Sequence, residues 1–319
     1  MENVDEVKFY ETCNSYKIIG ETKNVPPKLW HYTSSEGLKG IVESNYLRFA
    51  EAIYMNDATE TRYGMGVFET VFNTFNSNAN FQYLSEIRAS AFEFINSDRP
   101  IICSLCEEEN LLNQWRAYGK SETAYCIGFD VSKLRDSNWN FQPHLFPIIY
   151  DRTCQISYMT KLLEEIVKPP FGSPGSSAAC SQQISKIKYH SIQQILNLIF
   201  RFKDPCFAAE REWRLLAKMS DVRGQYHNLK EIKQAESAKL GKPIDFPDMQ
   251  IYGFNSTPLG ILPFYGWKPN TSIGKLPITD VYVGPGNHAD ISELALKYFL
   301  DFNYLKNVKT HVSTIPLRK

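Results

Sequence analysis

Between residues 28 and 314, apolar runs of strand length alternate with apolar stripes at helical spacing, and this alternation constrains the fold more than any other feature of the chain. Strand-length runs stand at 28–33, 47–50, 101–106, 123–131, 147–150, 212–218, 281–284 and 308–314. Between them, Leu38, Ile41 and Val42 follow the capping residue Ser35 at helical spacing. Met65, Phe68, Val71, Phe72 and Phe75 make a second stripe, and Phe81, Leu84, Phe92 and Ile95 a third, with Arg88 its polar exception. Leu111, Leu112, Trp115 and Tyr118 align before a stop at Gly119, and further helices are expected at 153–167 and 181–201. Ile291, Leu294, Ala295, Tyr298, Phe299 and Phe302 mark the last. The pattern predicts an α/β or α+β fold, a central mixed β-sheet with flanking helices, with the sheet order left undetermined.

The boundaries follow from composition. Residues 1–27 read as a polar N-terminal arm ending in Pro26-Pro27, and residues 28–319 as a single α/β catalytic-type domain. Hydrophobic residues at 43% and charged residues at 22% suit a packed core and exclude global disorder. Lys plus Arg equals Asp plus Glu, 35 against 35, so no overall charge draws the chain to nucleic acid or membrane. No apolar run is long enough to cross a bilayer, so no membrane partner is expected. The acidic, polar start is unlike a signal peptide. The seven cysteines are odd in number and sit mostly in apolar runs, which predicts free thiols and a cytoplasmic location. The Pro- and Gly-rich stretch 169–177 reads as a surface loop, and 219–275 gives poor strand signals.

Four clusters carry chemistry. In Leu29-Trp30-His31-Tyr32-Thr33-Ser34, alternation puts His31 and Thr33 on one face and Trp30 and Tyr32 on the other. The histidine and hydroxyls suit sugar hydroxyls; the commoner fate is a buried histidine satisfied by backbone. In Met55-Asn56-Asp57, with Glu60 three residues on, the Asn-Asp pair is either a helix cap or a substrate contact. Arg116, beside the packing residues Trp115 and Tyr118, suits a phosphate, a carboxylate or an ordinary salt bridge. In Glu210-Arg211-Glu212-Trp213-Arg214, a continuous strand would align Glu210, Glu212 and Arg214 on one face. Two carboxylates and a guanidinium in line are costly to bury unless each has a partner. Such a carboxylate can steady a cationic transition state, and a second can deprotonate a nucleophile; a solvated, internally bridged strand face fits the pattern equally.

Several motifs are missing: no Gly-x-Gly-x-x-Gly, no Walker loop and no Gly-x-Ser-x-Gly elbow. Cys103 and Cys106 have zinc-like spacing but no second pair, so no metal site is expected. Gly284-Pro285-Gly286-Asn287 could present N–H groups to an anion but more commonly such a turn only joins strand to helix.

The ordered set His31-Tyr32-Thr33-Ser34, Gly37-Leu38-Lys39-Gly40-Ile41, Met55-Asn56-Asp57, Ser104-Leu105, Trp115-Arg116-Ala117-Tyr118, Cys126-Ile127-Gly128-Phe129 and Glu210-Arg211-Glu212-Trp213-Arg214 resembles the bacterial domain-of-unknown-function family 2971, over roughly residues 28–218. That family is in turn distantly similar to ADP-ribosyltransferases, especially toxins that modify DNA bases. In those enzymes a first-strand histidine binds NAD ribose, a central aromatic or serine-bearing strand frames nicotinamide, and a late-strand glutamate is catalytic. The resemblance implies an ADP-ribosyltransferase-like fold and an NAD-using toxin or antiphage effector acting on nucleic acid or protein. It assigns catalysis to Glu212 and Glu210. NAD contacts would come from His31, Tyr32, Thr33, Ser104, Trp115, Arg116, Tyr118 and Arg214, and substrate contacts from Asn56 and Asp57. Ser104, Trp115 and Tyr118 compete for the middle element. Two alternatives stand beside it. One is a metal-dependent nuclease using Asp57, Glu60, Glu210 and Glu212. The other is a noncatalytic ligand sensor.

Overall fold

The strand expected at 101–106 becomes the junction of the sheet. The computed structural model describes residues 25–54, 59–97, 100–118, 123–135, 143–168, 178–218, 238–239, 241, 252–257, 260–267, 274–286 and 288–316. In it β3 (Pro100–Cys106) gives one whole edge to β6 (Glu212–Lys218), antiparallel, with Ser104 opposite Arg214 and Cys106 opposite Glu212. β6 pairs on its far side with β5 (His144–Pro147). The other edge of β3 is divided. Ile101 and Ile102 pair with β2 (Leu47–Glu51), while Cys106 pairs with Trp30 of β1 (Lys28–Ser34).

Two wings leave this fork. β1 continues through β4 (Ala124–Asp130) and β9 (Ile278–Val283) to β10 (Lys309–Val312). β2 continues through β8 (Gly260–Trp267) to β7 (Tyr252–Thr257). Among the described strands only β9–β10 is a parallel ladder, so the expected mixed sheet is mostly antiparallel, with flanking helices. The hairpin β7–β8 lies in the stretch whose strand signals are poor in sequence; Tyr265 and Trp267 are its buried residues, and tertiary burial supplies what local pattern lacks.

Alternation sorts the sheet residues onto two faces. On one, Leu29, Cys103, Leu105, Ile127, Phe129, Trp213 and Leu215 pack in a single core with residues of α1 (Ser35–Ser44), α5 (Val131–Arg135) and α8 (Ala289–Phe302). On the other, Ile102 and Leu216 pack beneath α2 (Thr59–Phe72), α3 (Phe81–Ser97), α6 (Arg152–Ile166) and α7 (Ala178–Ile199). A smaller cluster on that second face, Trp30, Tyr32, Cys106 and Cys126, packs against Trp115 of α4 (Leu112–Tyr118). The stripes of α1 and α2 are buried as their spacing predicts, apart from half-buried Phe75 beyond α2; in α3 Leu84 is buried together with Ile87 and Ala91, while Phe81, Phe92 and Ile95 are half-buried at the edge of the core. The stripe of α8 is not buried: Leu296 and Leu300 face the sheet, while Ile291, Leu294, Tyr298 and Phe302 point to solvent.

Other expectations shift less. The strand expected at 147–150 runs instead over 144–147, with Ile149 forming an isolated bridge to Phe202. Ser34, one residue before Ser35, caps α1 by accepting the Gly37 amide. Among the described cysteines, Cys103, Cys106, Cys126, Cys154 and Cys206 are free; the first three are buried and the last two exposed. The loop 169–177 and residues 1–24 of the arm lie outside the described residues.

Gly128, opposite Trp30 across β1–β4, carries the indole: a Cβ there would stand 2.5 Å from the ring. Gly128→Val is expected to destabilise the protein by about 1–3 kcal/mol through overpacking. It should also shift tryptophan fluorescence as Trp30 moves, and denaturant titration with emission spectra checks both.

Candidate functional site

Between the two apolar clusters on the second face runs a polar seam built from adjacent strands. β3 supplies Ser104 and β6 supplies Glu212 and Arg214, at positions that alternate with Cys103, Leu105, Trp213 and Leu215 of the opposite core. Glu212 is 6% exposed and Arg214 1%, so neither can be satisfied by water. Arg214 grips the carboxylate with two prongs, Nε to Oε1 at 2.7 Å and Nη2 to Oε2 at 2.9 Å. Its Nη1 donates to the Phe200 carbonyl at the end of α7, at 3.0 Å. Ser104 donates from Oγ to Glu212 Oε1 at 2.7 Å. Lys203 Nζ donates to Oε2 at 3.0 Å. Burial alone would raise the Glu212 carboxyl, but Arg214 first, then Lys203 and Ser104, outweigh it and hold it down at about 2.

Lys203 links this seam to a second carboxylate, donating to Glu210 at 2.5 Å. Here the sequence expectation is corrected. Glu210 is not on the strand; it ends a 3-10 turn, 205–210, and Arg211 follows in the left-handed region (φ 48°), so the chain turns before β6 begins. The two glutamates meet through the lysine rather than through a shared strand face. Lys203 is itself fixed from behind: buried Gln155 of α6 donates to its carbonyl at 2.9 Å and accepts from Tyr63 of α2. Tyr150 accepts the Glu212 amide at 3.0 Å.

Above the seam opens a recess of about 440 Å³. Ser104, Glu212, Glu210 and Lys203 form its polar floor, and Trp30, Tyr32, Tyr118 and Phe207 its aromatic walls. Tyr118 keeps 38% of its surface accessible. Its hydroxyl is nevertheless pushed up to about 12, by desolvation first and by the charges of Glu212 and Glu210 next, and it stays a neutral donor at pH 7. The Tyr32 hydroxyl accepts from Leu111 N and donates to the Glu108 carbonyl, leaving its ring as the wall.

The expected site residues divide. Ser104, Tyr32, Tyr118, Glu210 and Glu212 come together at the recess. His31 and Thr33 do not line it: they alternate with Trp30 and Tyr32, which do, so the expected common cleft for His31 and Glu212 is not formed. His31 fills the fork instead, its Nδ1 donating to the Ser104 carbonyl at 2.9 Å. Burial lowers its pKa, keeping the ring neutral with the proton on Nδ1. Trp115 stands behind the wall, 1% exposed, its Nε1 donating to Asn110. Arg116 is exposed and outside the lining. Arg214 is engaged by Glu212 and Phe200 and does not line the recess, so the expected NAD contact from it is not formed there. Asn56 and Asp57, and the side chain of Glu60, lie outside the described residues. Sequence reasoning missed Lys203, Phe207 and Trp30. For Trp30 the alternation was a usable signal; Lys203 joins the glutamates only through the fold.

Residues 114–215, from within α4 to within β6, match the model of a family described as a protein of unknown function, DUF2971. That stretch contains Tyr118, Lys203, Glu210, Glu212 and Arg214, while β1 and Ser104 precede it. No curated protein and no solved structure matches the chain.

Removing one partner strands the others. Arg214→Met should destabilise by about 3–5 kcal/mol, and pairing it with Glu212→Gln should recover part of that loss. Because the Glu212 carboxyl is depressed, its contribution is present above the unfolded value of 4.5 and is lost as pH falls toward about 2. Urea unfolding between these limits should show a steeper acid decline for the wild type than for Glu212→Gln.

Proposed function

We propose that the recess binds NAD and that the protein is an ADP-ribosyltransferase-like enzyme, a toxin or antiphage effector that passes ADP-ribose to nucleic acid or protein. The observation that carries this reading is the hydrogen bond between Ser104 and Glu212 at the floor of an aromatic-walled recess. It supports Ser104, rather than Trp115 or Tyr118, as the middle element that the family resemblance implies. The planar pyridinium ring of the nicotinamide suits walls made by Trp30 and Tyr118, since aromatic faces stack on flat rings at little entropic cost.

All four acceptor positions of Glu212 are filled, so a ribose hydroxyl must displace a donor. Lys203 is the one that can yield. Its contact to Glu210 is the shorter, 2.5 Å against 3.0 Å, and the ammonium stays paired when it leaves Glu212. Glu212 then holds the ribose 2′-hydroxyl and its charge steadies the oxocarbenium-like state. The N-glycosidic bond breaks with its electron pair on nicotinamide. The acceptor forms the new bond to the anomeric carbon, and its proton passes to Glu210. His31 supports this arrangement from the fork, through the Ser104 carbonyl, and makes no ribose contact of its own.

The filled coordination of Glu212 equally favours a second reading, a noncatalytic binding protein in which the network is a fixed floor. The metal-dependent nuclease fits less well: an ammonium stands between Glu210 and Glu212, and no group of three acidic, His or Cys residues that could hold a metal ion occurs among the described residues.

Glu212→Gln keeps the shape and removes the charge. Nicotinamide release is expected to fall by about 100-fold or more, the scale of losing a key electrostatic stabiliser, with NAD affinity changed much less. The assay is nicotinamide release and transfer of labelled ADP-ribose to DNA, RNA and protein mixtures, beside calorimetric NAD titration. NAD binding without turnover selects the sensor; wild-type protein that does neither ends the NAD reading. Mg²⁺-dependent nuclease activity lost in the same variant would replace it.

A further inference from the structure

Helix α8 has two apolar sides. Leu296 and Leu300 are buried in the core with Val281 and Val283 of β9. On the opposite side, Ile291 is 68% exposed, Leu294 54%, Tyr298 72% and Phe302 83%; Tyr304, just past the helix, is 83% exposed. At 100° per residue these four helical positions, with Ala295, fall within one stripe about 100° wide. Three large aromatic and two aliphatic side chains at such exposure present on the order of 500 Å² of apolar surface, about what the largest patch on a monomer reaches and usually a sign of an interface.

We propose that this stripe is the interface of a two-fold homodimer, with α8 packing antiparallel against α8 of a second copy. The order of residues is self-complementary, as a two-fold interface requires. Turning the stripe end for end about its midpoint places Ile291 against Phe302 of the second copy and sets its Tyr298 over Ala295, beside Leu294. An aliphatic side chain then meets an aromatic one at every position. Exposed Ala295, beside the midpoint, leaves the hollow that the opposing Tyr298 fills. Leu294, Tyr298 and Phe302 form an i+4 ridge of the kind that interdigitates between crossed helices. Two charges flanking the stripe are neutralised within each copy, Lys297 by Glu293 at 3.0 Å and Asp301 by Lys306 at 3.5 Å, so apposed copies do not confront unpaired like charges there. Covering both stripes removes up to about 1,000 Å² from water, the lower limit for a specific interface.

The test is sedimentation velocity of the full chain over micromolar concentrations. The expected result is a species of twice the chain mass. Tyr298→Asp should weaken association by about 30-fold or more, as loss of a central aromatic anchor does. Leu294→Asp should behave alike. Both positions are exposed, so thermal unfolding of the variants should show the fold retained. Ile261→Asp, at a 74% exposed apolar residue of β8, should leave the dimer intact. A wild type that stays monomeric throughout the range overturns the proposal, as does a dimer indifferent to Tyr298→Asp. A chain that dimerises only after residues 1–24 are removed also overturns it, since its own N-terminal segment would then be the occupant.

Discussion

A carboxylate taken out of water inside a protein must be given back its donors, and Glu212 receives four from three residues. Much of the second sheet face is arranged around that requirement. Ser104 has to lie on the strand next to β6, which fixes the register of β3. Arg214 has to sit two residues along β6, on the same side. Lys203 has to arrive from the end of the helical layer, where Gln155 holds its backbone. The apolar clusters on either side then pack up to the seam without crossing it.

The fork in β3 is the geometric counterpart of this electrostatic demand. Where β1 and β2 part, the Ser104 carbonyl has no strand to pair with on that edge, and an orphaned buried carbonyl costs about what a lost hydrogen bond costs. His31 supplies the missing donor. The same serine thus uses its side chain on Glu212 and its carbonyl on His31, so the histidine is coupled to the site although it does not face it.

The architecture was legible wherever local pattern and burial agree. The strands β1, β3, β4 and β6 are buried on both faces and so read as apolar runs, while the helices 59–72, 81–97 and 152–166 each turn an apolar side to the sheet. The hairpin of β7 and β8 was not, since its Gly- and Pro-rich sequence is rescued by packing of Tyr265 and Trp267 rather than by propensity. The stripe of α8 misled, because an apolar face says that something covers it and not what. At the site, Glu212 and Ser104 were readable as residues but not as partners. The left-handed turn at Arg211 breaks the strand spacing on which Glu210 had been aligned, and only the folded chain brings Lys203 between the two acids.

The Gln155 contact to Lys203 has a further consequence. The lysine's backbone is tied through Gln155 to Ile149 and to Tyr63, so the ammonium swings on its side chain while its anchor stays with the helical layer. Glu210, Glu212 and Lys203 at the floor, with Arg214 buried behind them, make a nearly fixed mosaic of two negative and two positive groups whose sum is zero. Such a surface exerts little pull at a distance and gives little reward to net charge. It discriminates at contact, by whether a guest's own donors and acceptors fall in the same order as those beneath it.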